Sequence, residues 1–203
     1  MKAYVINLLS RPDRLKEIKK RFKDSEFEIK RINAVRNKEP HIGVTKSFLK
    51  ALKKAKKEKI PEVLLLEDDC KPLIGWKSRW KKIKKWLDVN EDKWDIYSGG
   101  AWNIIMPTQI GKIDDIIIYK PLYSLAAHWI YVPERSYDLL INAYTSFLSI
   151  QSIIPMAGLD HYNNIFKTVI SKPFMATQTS DMSNTTKKYR NTDKLFKNAE
   201  ERL

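Results

Sequence analysis

The sequence predicts an α/β domain with a mostly parallel central sheet flanked by helices, and three observations point to it. Apolar runs of strand length stand at 3–9 (AYVINLL, interrupted by Asn7) and at 63–66, where VLLL is continuous, which suits a strand covered on both faces. Between such runs stand stretches whose apolar residues recur at helical spacing. Strand and helix patterns of these lengths alternate along the chain, with no internal repeat.

Taken in order, AYVINLL reads as a first buried strand and SRPDRLKEIKKRF as the helix after it. Ser10 is expected to cap that helix, Pro12 to fill its first turn and Asp13 to complete a capping box, with Leu15, Ile18 and Phe22 on one face. A second strand is expected around EFEIKRINAV. A Lys-rich helix follows from Thr45 to Lys59, with Phe48, Leu49, Leu52 and Ala55 inward, and Pro61 stops it before VLLL. Trp76, Trp80, Ile83 and Leu87, spaced four, three and four apart, predict a further amphipathic helix. WDIYSGG reads as a strand leaving through paired glycines. IDDIIIYKP and SLAAHWIYVP are further strand candidates, and ERSYDLLINAY a helix. From about Thr177 few large apolar residues remain, so a polar loop or tail is expected.

Bulk properties narrow the class. The 203 residues, 43% hydrophobic and 11% aromatic, suffice for one domain with a substantial core, which argues against wholesale disorder. The single Cys70 excludes an internal disulfide and a cysteine-based zinc site. MKAYVINLLSRPDR is too short an apolar stretch for a signal peptide or membrane span, so a cytoplasmic enzyme, or one peripheral to a membrane, is expected. Lys and Arg number 38 against 24 Asp and Glu, and the net charge of +14 favours an anionic partner: nucleic acid, an anionic membrane or a phosphorylated small molecule. Many of the lysines lie on helices and read as a solvated face. No nucleic-acid-binding motif is visible, and an acidic triplet would repel phosphates, which weighs against a nucleic-acid module.

That triplet, in VLLLEDDCKP, is the chief functional signal. Glu67, Asp68 and Asp69 stand where a buried strand emerges, and in open α/β sheets ligands bind beyond the carboxyl ends of strands. Three adjacent carboxylates call for a cation, and hard oxygens suit Mg²⁺ or Mn²⁺ bound to diphosphate; a solvated acidic turn is the alternative. Arg11 and Arg14 flank a strand-to-helix turn whose free amides attract phosphate. His128 lies in the apolar run LAAHWIYV, where a core histidine is the alternative to a ligand. Asp160 in GLDHY could cap a short helix or act as general base, with His161 a second candidate. Gly99 and Gly100 offer an unobstructed backbone for a sugar or a tight turn, and Trp102 a stacking platform.

The chain also resembles glycosyltransferase family 25, the lipopolysaccharide-biosynthesis and collagen galactosyltransferase type. VINLLSRPDRLKEI is similar to that family's N-terminal "INL-R-PDR" signature, GVTKSFLKAL to its "GC-LSH--A" helix and VLLLEDDCKP to its "LEDD" strand. AAHWIYVPERSYDLL, GLDHY and Ser180-Asp181 resemble its later blocks. Phe48 stands where the family usually has His, and Val44 where it often has Cys, and the Phe48 departure makes a catalytically degenerate transferase-fold binding protein the alternative. The resemblance implies a GT-A type nucleotide-sugar fold over residues 1–181, with 182–203 a polar tail. It further implies inverting transfer of a hexose, glucose or galactose, from a UDP-sugar to a glycan, glycolipid or hydroxylated protein acceptor. Asn7, Arg11 and Arg14 would then lie by the nucleotide, and Asp69, with Asp68 or Glu67, would hold Mn²⁺ or Mg²⁺. His128 would lie in the donor site, and Asp181, with Lys187, Lys188 and Arg190, would close over the diphosphate.

Overall fold

The computed structural model describes residues 1–150, 159–182 and 189–203, with backbone only for Asp160, Tyr162, Asp181, Met182, Tyr189 and Arg190. Its first half follows the apolar pattern closely. Strand β1 (Lys2–Asn7) leads to helix α1 (Pro12–Arg21), β2 (Glu28–Asn33), α2 (Pro40–Lys57), β3 (Glu62–Glu67), the short β4 (Cys70–Pro72) and α3 (Trp76–Val89). Next come β5 (Ile96–Ser98), β6 (Trp102–Ile105), β7 (Thr108–Ile113), β8 (Ile116–Lys120), β9 (Tyr123–Leu125), β10 (Trp129–Pro133) and α4 (Tyr137–Ile150). The last elements are α5 (Leu159–Tyr162), β11 (Thr168–Lys172), β12 (Ala176–Gln178), β13 (Asp181–Met182), β14 (Tyr189–Arg190) and α6 (Thr192–Glu201).

Eight strands form one sheet in the order β2-β1-β3-β10-β5-β11-β8-β7. β1 pairs in parallel with β2 and β3, and β11 in parallel with β5, whereas β10 is antiparallel to β3 and β5 and β8 antiparallel to β11 and β7. Thus β2, β1, β3, β5, β11 and β7 point one way, and β10 and β8 the other, so the sheet is mixed at its pairings while most strands share a direction. β3 carries the uninterrupted VLLL run because it is paired on both edges and covered on both faces; Val63 to Leu66 are all buried. β2 is an edge strand, and its exposed Glu28 and Lys30 blunt that edge against further pairing.

The faces follow the side-chain alternation of the strands. Leu64 and Leu66 pack with Ile18, Phe22, Trp76, Trp80, Ile83 and Leu87 of the α1 and α3 layer. Val63 and Leu65 pack with Phe48, Leu49, Leu52, Ala55, Leu140 and Tyr144 of the α2 and α4 layer. Phe48, at the position of the family's His, is a core residue. The expected faces of the helices are met, yet α2 starts five residues earlier than Thr45, since Pro40 opens its first turn.

Two local expectations are corrected. Ser10 does not cap α1: Arg11 occupies the cap position without a side-chain cap bond, the Ser10 hydroxyl accepts from Arg36 at 2.6 Å, and Asp13 is drawn to Arg11 at 2.8 Å. The polar segment 182–203 is not tail throughout. Its weak apolar pattern includes the buried Phe196 and Ala199 one helical turn apart, and Phe196 packs against Phe174, Ala101, Tyr119 and Ile170. Asn191 caps this helix by accepting from the Lys194 amide.

Candidate functional site at the carboxyl edge of the sheet

The chain passes from β1 outward to β2, then back across β1 to β3, so the strand order reverses between β1 and β3. Crevices of open α/β sheets form outside the carboxyl ends of strands at such a reversal. The residues there are Asn7, which ends β1, and Glu67-Asp68-Asp69, which leave β3.

The turn at Asp68 and Asp69, which follows the end of β3, divides the triplet between two sets of partners. Asp68 is held by the first strand and helix: its Oδ2 accepts from the Asn7 amide at 2.7 Å and its Oδ1 from the Arg14 guanidinium at 3.0 Å. Both side chains of the Arg14–Asp68 pair are 13% exposed, so water screens the pair only weakly. Asn7 also donates to the Arg11 carbonyl at 2.8 Å, which ties the end of β1 to the turn before α1. Its own carbonyl Oδ1 is shut off from water and has no partner among the described residues.

Glu67 and Asp69 turn to β12, which lies antiparallel to β4 and sets Gln178 opposite Cys70. The Gln178 amide donates to Glu67 Oε2 at 2.9 Å. Thr179 donates its backbone amide and its hydroxyl to the Asp69 carbonyl, at 2.8 and 3.1 Å. Arg21 braces the same strap through the Cys70 carbonyl and the Thr179 hydroxyl, both at 2.9 Å. Asp69 as a residue is partly exposed, but its Oδ1 is inaccessible and unpartnered among the described residues. Burial foremost, then the charge of Asp68, pushes its carboxyl up to about 6, against the pull of Arg14 and Gln178.

These contacts give a physical answer to why three acids follow a buried strand. Asp68 is a structural anchor for the first helix. Glu67 and Asp69 are both held by the β12 strap, through Gln178 and Thr179, and one buried Asp69 oxygen has no partner among the described residues. Among the described residues no group of three or more His, Cys, Asp and Glu gathers to hold a metal. Mg²⁺ and Mn²⁺ can be held by one or two carboxylates when phosphate oxygens complete the shell. The donor set of Glu67 and Asp69, with its orphaned Oδ1, fits that mode.

The other expected site residues fall in different places. Arg11 lies at the same turn, its guanidinium folded onto the exposed Asp13 in a surface pair of the kind that contributes little and exchanges easily. His128 gives its backbone carbonyl to the Glu67 amide, but its ring is fully buried. Nε2 donates to the Ala176 carbonyl at 3.1 Å, and the Phe196 ring meets the imidazole edge to face with the ring centres 5.0 Å apart. Burial lowers its pKa to about 4, so the ring is neutral and offers no surface to a ligand.

Asp160 lies on α5, which packs against β9, α2 and α4, while its side chain and that of Asp181 lie outside the described ones, as do Lys187, Lys188 and the side chain of Arg190. His161 is exposed and shares a 2.6 Å hydrogen bond with the Tyr123 hydroxyl. Gly99 and Gly100 make room for the protein itself: a Cβ on Gly99 would sit 2.4 Å from the Trp129 ring, and one on Gly100 2.3 Å from the Ala176 carbonyl. Trp102 packs partly buried against the cluster beneath α6. Gln178 and Arg21 are the residues that sequence spacing did not disclose, since Gln178 meets Glu67 across 111 positions of chain.

No protein-family model matches the chain, and no curated protein sequence does, so the family 25 resemblance stands on the blocks quoted above. Among solved structures, the chain is similar to a glycosyltransferase involved in the glycosylation of the major capsid of PBCV-1, at 11% identity and a TM-score of 0.47, over 79% of this chain and 71% of that one. It is also similar to the nucleoside-diphosphate-sugar pyrophosphorylase from Vibrio cholerae RC9, at 11% identity and a TM-score of 0.38, over 84% of this chain and 72% of that one. At these scores neither likeness decides the function, and the reading below rests on the geometry of the site. No helix among the described residues is long and apolar enough to cross a membrane.

Proposed function

We propose that the chain is a nucleotide-sugar-dependent glycosyltransferase of GT-A type, transferring a hexose from a UDP-sugar to a hydroxyl of a glycan, glycolipid or protein. The observation that carries this reading is the placement of Glu67 and Asp69, with one Asp69 oxygen buried and unsatisfied among the described residues, beside Asn7, Arg11 and Arg14 at the switch point of the sheet. Cationic and anionic groups stand side by side there, as binding of a diphosphate through a divalent ion requires.

In this reading Arg11 leaves its surface partner Asp13 and takes a phosphate oxygen, while Arg14, fixed by Asp68, presents a second positive charge at the head of α1. Asn7, buried behind the turn beside the nucleotide, holds Arg11 in place through its bond to the Arg11 carbonyl. Glu67 and Asp69 hold Mn²⁺ or Mg²⁺, which when bound supplies charge stabilisation for the departing diphosphate. Asp160 takes the proton of the acceptor hydroxyl as its oxygen bonds to the anomeric carbon, while the bond from that carbon to the phosphate oxygen breaks and UDP leaves with the electron pair. Attack opposite the leaving group inverts the anomeric centre. The strongly basic surface suits an acceptor carried on an anionic membrane or glycan.

Calorimetry with UDP-glucose and UDP-galactose, with and without Mn²⁺, tests the reading on the native chain and on Asp69→Ala. Metal-dependent binding of one sugar nucleotide, lost in the variant, is the expected result. A folded native chain that binds neither nucleotide overturns it, and strongly salt-dependent binding to any DNA or RNA then favours a nucleic-acid module.

A further inference from the structure

The last helix reaches the acidic pair through a short chain of hydrogen bonds. Thr192, in the first turn of α6 and 8% exposed, donates its hydroxyl to the Gln178 carbonyl at 2.7 Å, and its backbone amide donates to the Ser180 hydroxyl at 3.1 Å. α6 is in turn fixed by Phe196, buried against Phe174, and by Glu200, whose Oε1 accepts from the Phe174 amide at 2.5 Å. The backbone of Gln178 is therefore held from both sides, by α6 and by the pairing of β12 with β4. Its side-chain amide donates to Glu67, and the backbone amide and hydroxyl of the next residue, Thr179, donate to the Asp69 carbonyl. Neighbouring carboxylates repel each other, and a donor fixed to this strap is what holds Glu67 in place beside Asp69.

We propose that Gln178 is a positioning residue that holds Glu67 beside Asp69 for a divalent cation, and that α6, through Thr192, sets the position of Gln178. This deepens the donor-site reading and rests on it. Gln178 is not itself a ligand here: its amide NH₂ faces the Glu67 carboxylate, and an NH₂ group donates. Its place matches the outer partners that orient metal-ligating carboxylates, whose loss costs about 10–100-fold in metal affinity. The contact also gives the C-terminal helix α6 a task in the site, beside its ion pair from Asp193 to Lys71.

The test is Mn²⁺ binding followed by electron paramagnetic resonance in the presence of UDP, beside calorimetric UDP binding without metal. Gln178→Met keeps the length of the side chain and removes the donor. It is expected to weaken Mn²⁺ binding by about tenfold or more while metal-free UDP affinity stays within about twofold. Thr192→Val keeps the shape of the α6 terminus and is expected to weaken Mn²⁺ binding by about threefold, with the same split. A merely structural role would lower both affinities together in both variants, and that result overturns the inference, as does Mn²⁺ binding unchanged in Gln178→Met. If the native chain binds neither UDP nor Mn²⁺, the donor-site reading itself falls; if it binds both and the variants match it, only the role of Gln178 falls.

Discussion

Asn7 and Asp68, at the ends of the neighbouring parallel strands β1 and β3, are joined by an amide-to-carboxylate hydrogen bond of 2.7 Å, with Arg14 closing on the other carboxylate oxygen at 3.0 Å. This triad fixes the mouth of the switch point, because it binds the end of one strand, the first turn of α1 and the acidic turn into a single unit. Asn7 is almost fully buried, so its side chain has no water to fall back on. A double-mutant cycle of Asn7→Ala and Asp68→Ala, read by urea unfolding at pH 7, is expected to give a coupling of about 1–2 kcal/mol. Additive losses would mean that the two side chains part in solution.

Much of this arrangement could be read from the residues. The continuous VLLL run announced a strand covered on both faces, and Trp76, Trp80, Ile83 and Leu87 are the buried stripe of α3. The position of the triplet followed from where that strand had to end. What each acid does was not legible, because the division of Asp68 from Glu67 and Asp69 depends on partners 61 and 111 positions away along the chain. α6 was missed for a related reason. With Phe196 and Ala199 as its buried apolar residues, its apolar face is narrow, and it is stabilised by docking onto Phe174 and His128, which no local pattern reports.

The paired glycines at 99 and 100 are expected to be intolerant for a reason unrelated to any sugar. The Gly99 carbonyl accepts from the Met175 and Ala176 amides at 2.6 and 3.0 Å, and a Cβ on Gly100 would meet the Ala176 carbonyl at 2.3 Å. Backbone oxygen cannot swing aside as a flexible side chain can. Gly100→Ala should cost about 2–3 kcal/mol in denaturant unfolding without any ligand present. A loss confined to donor binding, with stability intact, would return the glycines to the sugar-contact reading.

The docking of α6 makes a contrast between adjacent residues. Phe196 is 1% exposed and lies on Phe174 and His128, whereas Leu195 is 41% exposed on the outer face. Phe196→Ala is expected to destabilise by about 3 kcal/mol, in the range of buried aromatic truncations, and Leu195→Ala by less than about 0.5 kcal/mol. Equal small effects would show that residues 192–203 behave as a tail.

His128 gives the fold a pH dependence whose sign can be worked out. Burial lowers its pKa from the usual 6.5 to about 4, the bond to the Ala176 carbonyl pulling weakly the other way. Above pH 6.5 the ring is neutral in both the folded and the unfolded chain, and its contribution to stability is complete. As pH falls through 6.5 the unfolded chain takes up a proton that the folded chain refuses until about pH 4, so stability is lost across that window. At 1.36 kcal/mol per pH unit, the loss from this ring is about 2 kcal/mol between pH 7 and 5. Asp69 works in the opposite direction: raised to about 6 by burial and by Asp68, it holds its proton more tightly when folded and adds stability as pH falls below that value. The raw stability curve therefore mixes two opposed slopes, and the difference between the native chain and His128→Gln separates them. That difference, measured by chemical denaturation, should shrink by about 2 kcal/mol from pH 7 to 5, because the variant has no ring to protonate on unfolding. A difference that stays constant would mean that the imidazole is reached by water in the folded protein, and that α6 does not seal it.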